Sequence, residues 1–151
     1  MKKMHYEILI NAKPEKVWDT VVNDEKYREW TSPFHEGSYF EGGWNKGDKI
    51  RFLALNEKGE EEGMVSEIAE SRKPYFISIR HLGVVLGSKE DTTSEEAKKW
   101  SPAYENYTFT AEGAMTRFSV DVDTDESLFE FFVDVWPKAL EKLKQIAERI
   151  E

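Results

Sequence analysis

The chain of 151 residues carries 30 acidic and 21 basic side chains and no cysteine, for a formal charge of −9 and a pI near 5.0. That length supports one hydrophobic core without disulfide staples, and the negative field, unopposed by any basic stripe with interleaved aromatics, disfavours nucleic acid and anionic membrane surfaces. The longest apolar run, residues 82–86, is far short of the about 20 residues of a membrane-spanning helix; Met1-Lys2-Lys3-Met4-His5-Tyr6-Glu7 puts a charge where a secretory signal turns apolar, so a cytoplasmic location is expected.

Tyr6, Ile8 and Ile10 alternate with Glu7 and Leu9, which predicts a strand near residues 4–11. Pro14 suits a first helical turn, and Val17, Trp18, Val21 and Val22 follow at helical spacing, so a short helix is expected over 14–22. Asp24 is the expected cap of a second short helix carrying Tyr27 and Trp30 on one face and ending before Pro33. Residues 31–46 are rich in glycine and aromatic residues, with a possible short strand over 38–40. Ile50, Phe52 and Ala54 then alternate with Lys49, Arg51 and Leu53, and Asn56-Glu57-Lys58-Gly59 offers a turn before an extended run over 61–70. A strand over 75–81 points Tyr75, Ile77, Ile79 and His81 inward. Strands over 104–111 and 115–123 meet across Glu112-Gly113. Finally Phe129, Phe132, Val133, Trp136, Ala139, Leu140, Leu143, Ile146, Ala147 and Ile150 recur every three or four residues, predicting a helix of about 25 residues with a kink or a fresh start at Pro137.

An antiparallel sheet with one apolar face must cover it, and the terminal helix is the element with enough apolar stripe to do so. The expected fold is a single α+β domain over 1–151: a curved antiparallel sheet of six or seven strands wrapped on a long C-terminal helix, with two short helices after the first strand. A convex helix and a concave sheet match along one line, which leaves room for a pocket at one end.

Three strings carry a family resemblance: Pro14-Glu15-Lys16-Val17-Trp18 with Tyr27 and Trp30 after it, Glu105-Asn106-Tyr107-Thr108-Phe109 leading into Thr116-Arg117-Phe118, and Trp136-Pro137-Lys138-Ala139-Leu140-Glu141-Lys142-Leu143. With this order of elements, the chain resembles the START-like, or SRPBCC, helix-grip superfamily, in the branch named for the C-terminal domain of the heat-shock ATPase activator. The resemblance implies a helix-grip with an internal cavity. Members of that superfamily bind lipids and polyketides, cyclise them, or contact other proteins from one scaffold, so it implies no single activity.

The candidate ligand-binding residues are Trp30, Phe34, Trp44, Phe52, Ile79, His81, Trp100, Glu105, Tyr107, Phe132 and Trp136. Residues 83–103 form a connection longer than most, and Thr93-Ser94-Glu95-Glu96 reads as a capping box opening a short helix through Lys99. Trp100 after it either folds over an apolar mouth as a lid or pins the loop to the rim; the rings of residues 31–46 either meet it or seal the core. His81 and Glu105 are expected to meet on the inner face, as general base and orienter or as a satisfied polar pair. Phe129, Phe132 and Trp136 are core residues or cavity lining. Arg51, Arg80 and Arg117 fall on the outer face, and Glu141, Lys142, Lys144, Glu148 and Arg149 on an exposed helix face with local pairs. The three histidines lack metal-ligand spacing, and no nucleophile elbow, phosphate loop or dinucleotide fingerprint is present, so neither a metal nor a cofactor is expected. The expected role is a soluble binding protein for a small hydrophobic or amphipathic molecule. The alternatives are a cofactor-free cyclase or hydratase using His81 and Glu105, and a co-chaperone-like module contacting another protein, with the chain itself a monomer or weak homodimer.

Overall fold

The computed structural model describes residues 1–99 and 101–149. The elements follow one another as β1 (Lys2–Ile10), α1 (Pro14–Val22), α2 (Asp24–Trp30), β2 (Tyr39–Gly42), β3 (Lys49–Leu55), β4 (Glu61–Arg72), β5 (Phe76–Leu86), β6 (Lys89–Asp91), α3 (Glu95–Lys98), β7 (Ala103–Glu112), β8 (Met115–Thr124) and α4 (Phe129–Ala147). Eight strands form one curved antiparallel sheet in the order β1-β8-β7-β5-β4-β3-β2, with β6 paired to β5. The expected architecture is present.

Local chemistry explains the boundaries. Pro14 opens α1, and the Asn23 side chain, rather than Asp24, caps α2 by accepting the Lys26 N–H; Asp24 instead lies in the first turn, where its charge favours the helix dipole. Asn56 Oδ1 accepts the N–H groups of Lys58 and Glu60, and Gly59 supplies the positive φ that closes the β3–β4 turn. The β7–β8 register pairs Glu112 with Met115, so the turn residues are Gly113 and Ala114, one position later than the dipeptide signal.

The largest departure lies in residues 83–103. Strand β5 runs on to Leu86, the chain reverses at Gly87 and Ser88, and β6 pairs back onto it, which adds the eighth strand. A side chain at Gly83 would collide with the Asp91 carbonyl, so this glycine permits the close approach of β6. Ser94, not Thr93, caps α3 by accepting the Ala97 N–H, while Asp91 accepts from the backbone of Thr93 and Ser94. Trp100 lies outside the described residues. Tyr75 precedes β5 and is exposed, against the inward placement expected of it.

Helix α4 spans 19 residues and runs through Pro137 without a fresh start. The ring deprives the Val133 carbonyl of a donor, but Val133 is exposed, so water can serve it. Val133 therefore does not belong to the buried stripe and Val135 does, while Ile150 is not among the described residues. Burial on α4 begins at Val135. Its stripe, with Trp136, Ala139, Leu140, Leu143, Ile146 and Ala147, meets Ile10, Val17, Ile77, Phe109, Phe118 and Val120 in one core. The helix end is tied by long-range charges rather than local ones alone: Arg149 makes two hydrogen bonds to Glu29, and Glu148 accepts the Asn11 N–H besides pairing with Lys144. Arg51, Arg80 and Arg117 lie on the outer face as expected, each paired with glutamates of that face.

Candidate functional site

Helix α4 packs on β1 and on α1 and α2. The middle strands lie farther from it, and the rings of α2 and the segment after it enter that gap without filling it. A cavity of about 240 Å³ remains between α2 and α4 on one side and β3, β4, β5, β7 and β8 on the other. A second depression, about 310 Å³ beside Lys3, His5, Tyr104 and Asp121, is rimmed by exposed side chains already paired, His5 with Asp121 and Lys3 with Asp123.

One wall of the cavity is aromatic. Tyr27 and Trp30 stand three residues apart on the inner face of α2, Phe34 follows, and Phe132 and Trp136 project from α4 one helical turn apart. Phe34 meets the edge of Trp136 with ring centroids 4.8 Å apart, and Tyr27 meets Trp30 at 5.6 Å. The Trp30 indole N–H donates to the Val21 carbonyl, whereas that of Trp136 is buried and has no partner among the described residues.

The opposite wall is polar and comes from three adjacent strands. Register places Ser66 of β4 beside His81 of β5, and Glu105 of β7 diagonally across from His81. Ser66 Oγ lies 2.6 Å from His81 Nδ1, His81 Nε2 lies 3.2 Å from Glu105 Oε1, and the Tyr107 hydroxyl donates to Glu105 Oε2. An ionised carboxylate accepts only, so a neutral His81 carries its proton on Nε2, and its Nδ1 accepts a hydrogen bond from the Ser66 hydroxyl. Both ring nitrogens are thereby engaged. Burial, and then the charge of Glu105, push the Tyr27 and Tyr107 phenols far above the ordinary tyrosine range, so both stay protonated. The Tyr27 hydroxyl makes no hydrogen bond among the described residues. Two further carboxylates reach the cavity: Asp123, held by Lys3 and the Tyr104 N–H, and Glu62, which has no ion pair or hydrogen bond among the described residues.

Of the residues singled out from sequence, Trp30, Phe34, Phe52, His81, Glu105, Tyr107, Phe132 and Trp136 line this one cavity. Ile79 does not: it is fully buried between the sheet and its covering core. Trp44 does not either, because it packs on Phe40 and Phe52 beside the cavity and seals that flank. Ser66, Tyr27 and Glu62 were not among the candidates. Ser66 turns inward because the register shifts between Val65 and Ser66, so two successive residues are buried and the alternation that would expose one of them fails. Tyr27 carried a signal, its spacing to Trp30; Glu62 carried none.

Comparison with protein-family models and with curated proteins found no match. Solved structures do match. Protein MLL2253 from Mesorhizobium loti superposes with a TM-score of 0.74 at 15% identity, covering 99% of each chain. ChR145 from Cytophaga hutchinsonii gives 0.71 at 20% identity over 98% of this chain and 94% of the other. The Aha1 dimer from Colwellia psychrerythraea gives 0.68 at 15% identity over 98% and 97%.

This chain has the helix-grip fold. The Aha1 neighbour agrees with the resemblance carried by the three sequence strings, and at these identities the likeness concerns the fold alone. No helix among the described residues is long and apolar enough to cross a membrane.

Proposed function

We propose that this protein is a soluble binding protein for a small amphipathic molecule held between α2, α4 and the sheet. One observation carries the reading: the covering elements leave an unfilled, ring-walled cavity that ends on a connected polar wall, the combination typical of ligand sites. At about 240 Å³ it lies just below the usual range of ligand pockets, roughly 300–1,000 Å³. The occupant is accordingly compact, smaller than a full-length acyl chain. His81 has no ring nitrogen free for a substrate, which favours binding over the acid–base alternative that His81 and Glu105 also allow.

A survey of compact aromatic and aliphatic metabolites by native mass spectrometry and thermal shift tests this. A hit is expected to raise the melting temperature in proportion to the logarithm of ligand concentration above Kd, and to shift the NMR signals of Trp30, Phe34 and Trp136. A hit that perturbs only residues remote from these rings, or no hit across the survey, removes the proposal.

A second reading, a protein-interaction module, draws on exposed Phe131 and Val133 at the start of α4 and on a fold neighbour solved as a dimer. Sedimentation equilibrium of the wild type beside Phe131→Ser decides it for self-association: a mass that stays monomeric at high concentration removes a homodimer.

A further inference from the structure

The cavity's charge pattern is one-sided. Among the described residues no lysine or arginine side chain lines it, while Glu105, Glu62 and Asp123 do. Lys3 lies beside Asp123 and offsets that charge; among the described residues Glu62 has no such partner, and Glu105 is held by His81 and Tyr107 alone. The rest of the lining is rich in rings: Tyr27, Trp30, Phe34, Phe52, Phe132 and Trp136. Aromatic faces carry negative potential, so rings beside a carboxylate attract a cation and repel an anion. One polar group also lacks a partner: the hydroxyl of Tyr27, a residue 7% exposed, makes no hydrogen bond among the described residues.

We propose that the ligand is a compact organic cation, a protonated or quaternary amine on an apolar body. The inference rests on the binding reading above and names its ligand class. The ammonium group sits against Glu105 and the Tyr27 oxygen and under the rings, and the body fills the apolar half. A carboxylic acid in the same place would bring an anion to Glu105 with no lysine or arginine to receive it, and leaving one of two apposed charges uncompensated in a partly dry site is costly. The chain's net charge of −9 works in the same direction, since it raises the local concentration of cations.

The test is a matched series on the full chain by calorimetry: 3-phenoxypropylamine, its N,N,N-trimethylammonium analogue, 3-phenoxypropanol and 3-phenoxypropanoic acid, which share one ring, one ether acceptor and similar size. The expected result is that one of the cations binds at least roughly tenfold tighter than the alcohol, and that the acid does not bind. Glu105→Gln is expected to remove the preference for the cations over the alcohol. Glu62→Gln, at a half-buried position whose side chain makes no hydrogen bond or ion pair among the described residues, is expected to weaken the cations alone by about threefold. If the alcohol or acid binds as well as the cations, the cavity binds ligands and the cation assignment is overturned. If no member binds, while the wild type melts cooperatively, both the assignment and the binding reading fall.

Discussion

Ile79 and Phe34 look alike in the sequence, two apolar residues near the expected pocket, yet they have different neighbours. Ile79 is wholly enclosed beneath the helices, and Phe34 is half-buried with one face on the cavity. Truncating Ile79 leaves a void that close-packed neighbours cannot fill, so Ile79→Ala is expected to lower unfolding stability by about 2–5 kcal/mol without altering ligand selectivity. Phe34→Ala, opening onto space that already exists, is expected to cost less and to change which ligands bind. Urea denaturation beside binding to the matched series measures both. Equal losses for the two variants would mean that Phe34 belongs to the core. The polar wall follows the same logic at single-residue scale, because Ser66, His81, Glu105 and Tyr107 satisfy one another only as a set.

At the scale of elements, β3 and β4 approach closely beside the cavity. Gly63 lies on that contact, in register with Leu53, and an added Cβ would collide with the Phe52 carbonyl oxygen. Gly63→Ala is therefore expected to push the strands apart and lower stability by more than about 2 kcal/mol, with amide exchange accelerated along β3 and β4 ahead of β7 and β8. Uniform acceleration over the whole sheet would show that the strain is not local. Most elements were legible in the chain, since α1 begins on Pro14 and ends at Val22 as its spacing predicts. What escaped was the fate of residues 83–103. Nothing in Lys89-Glu90-Asp91 alternates, and this short strand forms only because Gly83 lets it lie on β5.

At the scale of the whole molecule, the ends of the fold are joined by charges far apart in sequence. The two hydrogen bonds from Arg149 hold Glu29 below the usual carboxylate range, and Lys144, then the Asn11 N–H, do the same for Glu148. A carboxyl whose pKa is depressed by folding contributes stability that is complete above its unfolded value, about 4.3 for glutamate, and is lost as the pH falls through the lower folded value. The melting temperature is accordingly expected to fall as the pH is lowered from about 5 to about 3, and Glu148→Gln to make that fall shallower. Calorimetric scans across the interval check it; an unchanged slope in the variant would assign the acid sensitivity to other carboxylates.

The order and type of the elements were determined by the chain itself, because periodicity, caps and turn residues act over a few positions, and the inward placement of His81 and Glu105 followed from alternation along regular strands. Only the tertiary structure decided that β6 exists, that Ser66 faces inward across a bulge, that Ile79 is core rather than wall, and that the covering helices leave space beside the rings. Those features depend on how far apart packed surfaces come to rest, a property of many residues at once that no local pattern encodes.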